Sequence, residues 1–251
     1  LASGEALDAL RQAKEMQHIA VKGLHCHIGS QVLECAPFVH AAEVMLDFYG
    51  KIRNELGMTF EHLNLGGGFG IHYTENDDAI PYENYMEAVS SMVHSKCQEL
   101  NLELPRIFIE PGRSIVGEAG ITLYSVGAIK EIPGVRNYVA IDGGMFDNPR
   151  DALYQSAYTC LVANKADKPA DYIATIAGKC CESGDLIQEH TPIQKPESGD
   201  ILAVLSTGAY NYSMASNYNR NLKPACVMVS NGNSRIVIKG ETYEDLIRND
   251  V

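Results

Sequence analysis

The sequence predicts an α/β part followed by a mostly antiparallel β domain. Over the first 120 residues, apolar runs that end in glycine or polar residues alternate with long amphipathic stretches, which is the pattern of parallel strand–helix units. Beyond Gly120, short β-rich runs are separated by Gly, Pro, Asn and Asp, which is typical of antiparallel sheets. We therefore expect two domains, 1–120 and 121–251.

The first domain is expected to hold three strand–helix units. Pro37 suits the first turn of the longest helix, and Gly57 suits its end. A closed (β/α)8 barrel takes about 250 residues, so in a barrel about five further units would have to precede this chain. The predicted elements are helices over 3–16, 36–57 and 81–100, and strands over 19–30, 60–70 and 105–114.

The second domain is expected to be a sandwich or barrel of short strands. A short helix over 241–250 closes the chain. The predicted strands lie over 121–132, 137–144, 171–180, 200–206, 225–232 and 234–240.

The composition argues against some classes of binding partner. A net charge of −12 argues against nucleic acid and anionic membranes, because both require clustered Lys and Arg. No apolar run approaches the ~18 residues of a spanning helix. The seven cysteines are odd in number and include no C-x-x-C pair. We therefore expect reduced thiols and a cytoplasmic protein.

A run of three glycines, Gly66, Gly67 and Gly68, directly follows a predicted strand. Glycines let the backbone approach a ligand closely and direct N–H groups at a phosphate. The run is not the dinucleotide fingerprint, because the third glycine position falls on Ile71. On spacing alone, a phosphate loop and a tight strand-to-helix turn are equally good interpretations.

Two histidines, His25 and His27, fall on one face of the first predicted strand. Their spacing could hold a metal, but no Cys, His or carboxylate set of matching spacing stands nearby. We predict no metal, and favour a ring stacked on a planar ligand or a core histidine. Ser30 ends the same strand, at the edge where barrel ligands bind.

Charged residues end another apolar run, at Glu110 and Arg113. A carboxylate at that point is costly unless a cation meets it. An internal ion pair between the two residues or a cationic ligand group would serve. Arg150 and Tyr154 follow a glycine-rich turn, where a solvated loop explains them as well as a ligand site does.

Adjacent cysteines, Cys180 and Cys181, are followed by acids at Glu182 and Asp185. The stretch alone leaves a structural thiol, a redox pair, a metal site and a reactive thiol open. Tyr210 lies in a loop rich in Tyr, Ser and Asn, where a packed aromatic loop is the simplest interpretation.

Taken together and in order, these motifs resemble the diaminopimelate decarboxylase family. The matching stretches are HCHIGSQ, LNLGGGFG, EPGRSIVGEAG, DGGMFDNPR with LY, CESGD and STGAYNYSMASNYN. That family consists of pyridoxal-phosphate decarboxylases with an alanine-racemase-like barrel. The resemblance implies that 1–120 is the last part of a TIM-like (β/α)8 barrel that binds the cofactor, followed by the β domain. It also implies a homodimer whose active site is shared between subunits.

The resemblance assigns catalytic roles to three residues. His27 would stack on the pyridine ring of pyridoxal 5′-phosphate. Glu110 would meet the pyridine nitrogen, where a carboxylate keeps the ring protonated as an electron sink. Cys181, rather than Cys180, would return a proton to Cα of the substrate. The residues implied to contact the cofactor are His27, Ser30, Gly66, Gly67, Gly68, Glu110, Gly112, Arg113 and Tyr210.

The implied substrate carries an amino acid group at each end. Its distal end requires an anion binder and a cation binder, which Arg150 and Glu182 would supply with charge-assisted bonds. Substrates of the ornithine and arginine decarboxylases have no distal carboxylate and need no such arginine. The residues implied to bind substrate are Arg113, Arg150, Tyr154, Glu182 and Tyr210.

One feature of the family lies outside this sequence. The family holds its cofactor as a Schiff base on a lysine early in the barrel, and no lysine here has the matching context. We therefore expect this polypeptide alone to lack normal decarboxylase activity. The alternatives are a sibling decarboxylase of the polyamine pathway, a non-catalytic relative that serves as a binding partner, and a metal-dependent barrel enzyme.

Overall fold

The computed structural model describes residues 3–251 and divides the chain into two compact units. Of the described residues, the first unit comprises 3–71 and 77–115, and the second comprises 72–76 and 116–251. The segment 72–76 thus belongs with the β-rich unit, although it lies inside the predicted first domain.

The first unit is built on a three-stranded parallel sheet. Its strands are β1 (Gly23–His25), β2 (His62–Asn64) and β3 (Arg106–Phe108), in that spatial order. The helices are α1 (Glu5–Lys14), α2 (Ala36–Leu56), α3 (Tyr82–Leu100) and the short α4 (Arg113–Val116), which begins in this unit. Parallel strands joined by long helices confirm the predicted α/β class.

Local signals explain where the long helices end. Pro37 stands in the first turn of α2, and Gly57 ends it with a φ of 64°, which glycine adopts without steric cost. Helix α3 ends at Leu100, and the capping residue Asn101 adopts the same left-handed region. These bounds agree with the predicted helices to within a residue.

A continuous apolar core holds α2 and α3 against the sheet. At its centre, the rings of Phe38 and Phe69 are stacked with centroids 4.7 Å apart, and Tyr85 meets both rings edge-on. Stacked and edge-to-face contacts are the favoured aromatic geometries. Because Phe69 directly follows the glycine run, its burial anchors that loop to the core.

The second unit contains a six-stranded sheet and a separate two-stranded hairpin. The strands of the unit are β4 (Thr122–Ile132), β5 (Arg136–Ile141), β6 (Cys160–Val162), β7 (Tyr172–Ala177), β8 (Leu186–Ile193), β9 (Ile201–Val204), β10 (Cys226–Ser230) and β11 (Asn233–Ile238). The sheet order is β6-β9-β4-β5-β7-β8, in which only β5 and β7 pair in parallel, and β10 and β11 form the hairpin. The prediction of a mostly antiparallel domain is confirmed.

Short helices complete the second unit. The helices α5 (Arg150–Tyr154) and α6 (Asn211–Met214) were not predicted. Helix α7 (Tyr243–Ile247) was predicted, and it begins with a capping box formed by Thr242 and Asp245.

Two strands of the sheet were missed, and both are edge strands. Strand β8 contains Glu189, His190 and Pro192, and β6 is only three residues long. Edge strands tolerate charges and proline, because one side of their ladder is unpaired. Neither strand therefore carries the apolar alternation that identifies a central strand.

The first predicted strand, over 19–30, is wrong in length. Strand β1 ends at His25, although the N–H of Cys26 still donates to the Asn64 carbonyl at 2.9 Å. The chain then turns, with φ values of 147° at Gly29 and 57° at Gln31. His27 therefore lies in the loop after the strand, and does not share a strand face with His25 as predicted.

Candidate active site

The carboxyl ends of the three parallel strands lie side by side. His25, Asn64 and Phe108 are in register across the sheet. Pairing continues one step further, because Leu65 N donates to Phe108 O at 3.0 Å and Glu110 N donates to Gly66 O at 2.7 Å. Ligands of α/β sheets bind beyond this edge. It is also where the predicted cofactor residues of the first unit converge.

The glycine loop is packed so tightly against its neighbours that no Cβ fits. A Cβ on Gly66 would lie 2.6 Å from Cys26 O and 3.1 Å from His27 Nδ1. On Gly67 it would lie 2.3 Å from Glu110 O, and on Gly68, whose φ is 103°, 2.2 Å from Gly29 O. The glycines therefore form a cradle of backbone between the segments that follow β1 and β3.

Two polar side chains, Arg113 and Ser30, form a hydrogen bond at this edge of the sheet. Arg113 is buried, and its Nη2 donates to Ser30 Oγ at 2.8 Å. Gly112 precedes it at the start of α4. A hydroxyl, a guanidinium and a glycine-rich backbone form a donor set suited to a phosphate group. The residues present therefore fit the phosphate of the cofactor that the motifs imply.

Glu110 is oriented by two neighbours. Its Oε1 accepts from Asn64 Nδ2 at 2.7 Å, and its Oε2 lies 3.4 Å from His25 Nε2. The Asn64 Oδ1 atom accepts from Gly66 N at 2.9 Å, so one amide joins the carboxylate to the glycine cradle. The Glu110 side chain remains 57% exposed, which leaves it accessible to a ligand.

Asn64 is not among the predicted site residues. It is the last residue of β2 and immediately precedes Leu65 and the glycine run. The available signal was a polar residue at the carboxyl end of a buried parallel strand, the position at which α/β folds place ligand-binding groups.

In the second unit, the turn after β5 is organised by a buried carboxylate. Asp147 accepts hydrogen bonds from the Tyr124 hydroxyl and from Gly144 N, the latter at 3.2 Å. Burial raises the pKa of Asp147 to about 6, and the nearby charge of Asp185 acts in the same direction. Asp147 was not predicted as a site residue.

This shift predicts a pH dependence of stability. Because the folded carboxyl binds its proton more tightly than the unfolded one, Asp147 contributes stability at low pH that is lost as the pH rises through about 6. The rise from 3.8 to about 6 corresponds to about 3 kcal/mol. We expect Asp147→Asn to flatten the fall in the free energy of unfolding between pH 4 and pH 7, measured by urea denaturation.

The matched control for this prediction is Asp142→Asn. Asp142 is exposed, begins the same turn and accepts a hydrogen bond from Ser125 N at 2.8 Å. Its replacement should leave the slope of the wild type. Parallel curves for wild type and Asp147→Asn would contradict the assignment.

The CESGD segment forms a loop fixed to the turn after β5. The two carboxylate oxygens of Asp185 accept from Met145 N and Cys180 N, each at 2.6 Å. Cys180 is half-buried, and its pKa is raised to about 11 by burial and by Asp185. Cys181 is exposed, and its N–H donates to Asn219 Oδ1 at 2.6 Å. The two adjacent thiols are therefore in different environments.

Glu182 and Tyr210 are both accessible. The Glu182 carboxylate accepts a hydrogen bond from the Tyr218 hydroxyl at 3.4 Å. Among residues 3–251, no Lys, Arg or His side chain forms an ion pair with it. Tyr210 is 41% exposed and caps α6, where its carbonyl accepts from Ser213 Oγ at 2.8 Å.

Arg150 is buried, which the sequence did not indicate. It is 6% exposed, its guanidinium lies 5.3 Å from the ring centre of Tyr154, and its Nη2 donates to Ser156 Oγ at 3.3 Å. Among residues 3–251, no carboxylate lies within ion-pair distance of Arg150. Burial of an unpaired guanidinium is costly, so an anionic group of a ligand would be bound favourably here.

Three buried donor atoms of the second unit, one of them on Arg150, have no acceptor within the described residues. They are Arg150 Nε, Asn148 Nδ2 and Asn211 Nδ2. Asn148 is two residues before Arg150 and accepts from its N–H at 3.4 Å, and the Tyr158 hydroxyl donates to Asn211 Oδ1 at 3.4 Å. Buried donors are normally satisfied. These donors are therefore the kind of groups that the carboxylate of a ligand would satisfy.

Residues 3–251 contain no group of three His, Cys, Asp or Glu side chains arranged to hold a metal ion. None of the helices in that range combines the length and the apolar character needed to cross a bilayer.

Comparison with known proteins identifies the relatives of the chain. Residues 2–117 match the family described as pyridoxal-dependent decarboxylase, pyridoxal binding domain. The diaminopimelate decarboxylase of Bacillus subtilis (strain 168) is 47% identical over 251 residues, which are 100% of this chain and 57% of that protein. The diaminopimelate decarboxylase of Staphylococcus aureus (strain COL) is 47% identical over 248 residues, covering 98% of this chain and 58% of the relative.

The chain is also similar to a solved structure. The crystal structure of a diaminopimelate decarboxylase from M. jannaschii in complex with L-lysine matches with a TM-score of 0.91 and 36% identity, over 100% of this chain and 56% of that chain. The chain thus spans between half and two thirds of the length of these relatives.

Proposed function

Because the chain belongs to the diaminopimelate decarboxylase family of pyridoxal-dependent decarboxylases, we propose that it serves the decarboxylation of meso-2,6-diaminopimelate to L-lysine and CO2. The observation that carries this proposal is the buried Arg150 with its neighbouring donors that lack acceptors. A substrate with a carboxylate at its far end would supply the missing acceptor. Ornithine carries no such group.

We infer that the first unit holds the cofactor, pyridoxal 5′-phosphate. The backbone of Gly66, Gly67, Gly68 and Gly112, with Ser30 and Arg113, would bind the phosphate. His27 would stack on the ring. When bound, the cofactor withdraws the electron pair that is left when CO2 departs.

Glu110 would hold a proton on the pyridine nitrogen. Its carboxylate is accessible, and Asn64 and His25 fix its direction. A fixed carboxylate stabilises the charged form of a ring nitrogen more effectively than water does. Asn64 would act as a positioning residue for this step.

Residues of the second unit would bind substrate and move a proton. Arg150 would bind the distal carboxylate beside Tyr154, and Glu182 would bind the distal ammonium. Cys181, whose side chain is exposed, would deliver a proton to Cα. Arg113 and Tyr210 would also contact the substrate. We further propose that the working enzyme is a homodimer in which the CESGD loop serves the partner subunit, as the family resemblance implies.

The substrate assignment is tested by comparing CO2 release from three amino acids. The full-length natural protein, loaded with pyridoxal phosphate, is given meso-diaminopimelate, ornithine or carboxynorspermidine. We expect kcat/KM for meso-diaminopimelate to exceed the others by at least about tenfold, since one charge-assisted hydrogen bond contributes about 1.5–3 kcal/mol. Equal or faster turnover of ornithine would replace this assignment with a polyamine-pathway decarboxylase.

A further inference from the structure

The carboxylate of Asp185 joins two segments of the second unit. One is the turn 143–147, from which Met145 N donates to Oδ1 at 2.6 Å. The other is the loop 178–185, from which Cys180 N donates to Oδ2 at 2.6 Å. Asp185 itself is only 3% exposed. Its charge is therefore satisfied largely by backbone N–H groups, one from each segment.

The carboxylate is packed closely against two glycines. A Cβ on Gly178 would lie 2.3 Å from Asp185 Oδ2, and a Cβ on Gly144 would lie 2.6 Å from the same atom. Two backbone hydrogen bonds add to the side-chain contacts: Gly178 N donates to Asp185 O at 2.8 Å, and Lys179 N donates to Gly143 O at 3.0 Å. The carboxylate thus lies in a close-fitting socket made by the two segments.

The socket has opposite consequences for the two adjacent thiols. Cys180, whose N–H is held by Asp185, turns its side chain inward, where Asn221 Nδ2 lies 3.6 Å from its sulfur. Burial and the charge of Asp185 together raise the pKa of Cys180 to about 11. Cys181 is the next residue, and its side chain is exposed together with that of Glu182.

We propose that Asp185 is a positioning residue: it fixes the loop 178–185 to the turn 143–147, so that Cys181, rather than Cys180, presents the accessible thiol with Glu182 beside it. The importance of this for catalysis rests on the proposed role of Cys181 as proton donor. The placement of the two thiols does not depend on that role, and can be measured without turnover.

The test is alkylation of the full-length protein with iodoacetamide at pH 8, followed by mass spectrometry of the peptide that contains both cysteines. In the wild type we expect Cys181 to be labelled at least about tenfold faster than Cys180, because reactivity follows thiolate content and access. In Asp185→Asn, one carboxylate oxygen is replaced by an NH2 group. Because NH2 is a donor, it cannot accept the hydrogen bond from the backbone N–H that faces it. The Cys180 rate should rise about tenfold, and the two rates should converge.

Two controls make the outcome decisive. Asp142→Asn removes an exposed negative charge next to the same turn and should keep the wild-type ratio of rates. Wild type unfolded in urea should label both thiols equally. A wild-type ratio near one in the native state, or an Asp185→Asn ratio equal to that of the wild type, would overturn the proposal. The first comparison stands even if Asp185→Asn does not fold.

A kinetic readout separates this proposal from the proposed function. Asp185→Asn should lower kcat for meso-diaminopimelate more than tenfold, because the proton donor and the ammonium binder are displaced together. If the wild type does not decarboxylate meso-diaminopimelate, the proposed function fails while the labelling result still decides the role of Asp185.

Discussion

Gly67→Ala should reduce the affinity for pyridoxal phosphate by about 5- to 150-fold, since overpacking typically costs about 1–3 kcal/mol and here falls on the binding loop itself. The added Cβ would lie 2.3 Å from the backbone oxygen of Glu110. Backbone cannot rotate away as a flexible side chain can, so the loop and the Glu110 segment must separate. That movement would disturb the phosphate cradle and the direction of the Glu110 carboxylate together.

The measurement is cofactor titration of the full-length protein by absorbance and fluorescence, together with thermal unfolding without cofactor. Gly50→Ala is the matched control. Gly50 lies within α2, where a Cβ would meet the Leu100 side chain at an ordinary 3.6 Å, so its replacement should leave the affinity unchanged and the stability equal or higher. Equal affinities for the two variants would contradict the assignment of the glycine loop.

The parts of the fold that local chemistry determines were predictable from the sequence. Helix α2 has its proline at the start and its glycine at the end, and its observed bounds differ from the predicted ones by one residue. Strand lengths were not predictable in this way. Strand β1 stops at His25 because the next residues bend towards the glycine loop, and that bend depends on contacts with Gly66 and Gly68 some 40 residues later.

The same distinction applies to the candidate site. The residues expected to touch cofactor or substrate stand in recognisable motifs, but the residues that orient them do not. Asn64 contacts Glu110 across 46 positions, and Asp185 contacts Met145 across 40. Neither pairing leaves a periodic or local signal in the sequence. Such positioning contacts become visible only when the chain is folded.

The burial of Arg150 leads to the second large expected effect. Arg150→Met keeps an unbranched, flexible stem and removes the charge and all donors. We expect kcat/KM for meso-diaminopimelate to fall by about 100- to 1,000-fold, because one or two charge-assisted bonds of about 1.5–3 kcal/mol each are lost. The loss should appear mainly in KM, since the distal carboxylate is bound equally before and during the reaction.

The same substitution should stabilise the ligand-free protein. The Arg150 guanidinium is 6% exposed and has no carboxylate partner in the described chain. Its desolvation therefore destabilises the folded protein, because no ion pair offsets it. An apolar side chain of similar volume removes that penalty. We therefore expect Arg150→Met to raise the temperature of unfolding while it impairs substrate binding, a combination that a purely structural arginine would not give.

Arg136→Met provides the control, because Arg136 also lies over a tyrosine ring but has a carboxylate beside it. Its guanidinium lies 5.7 Å from the ring centre of Tyr138, and its Nη2 lies 3.3 Å from Glu189 Oε2. Since this pair is partly exposed, its loss should lower stability by no more than about 1 kcal/mol and leave KM unchanged. If Arg150→Met lowered the unfolding temperature and left KM at the wild-type value, Arg150 would be a structural residue, and the distal carboxylate would have to be bound elsewhere.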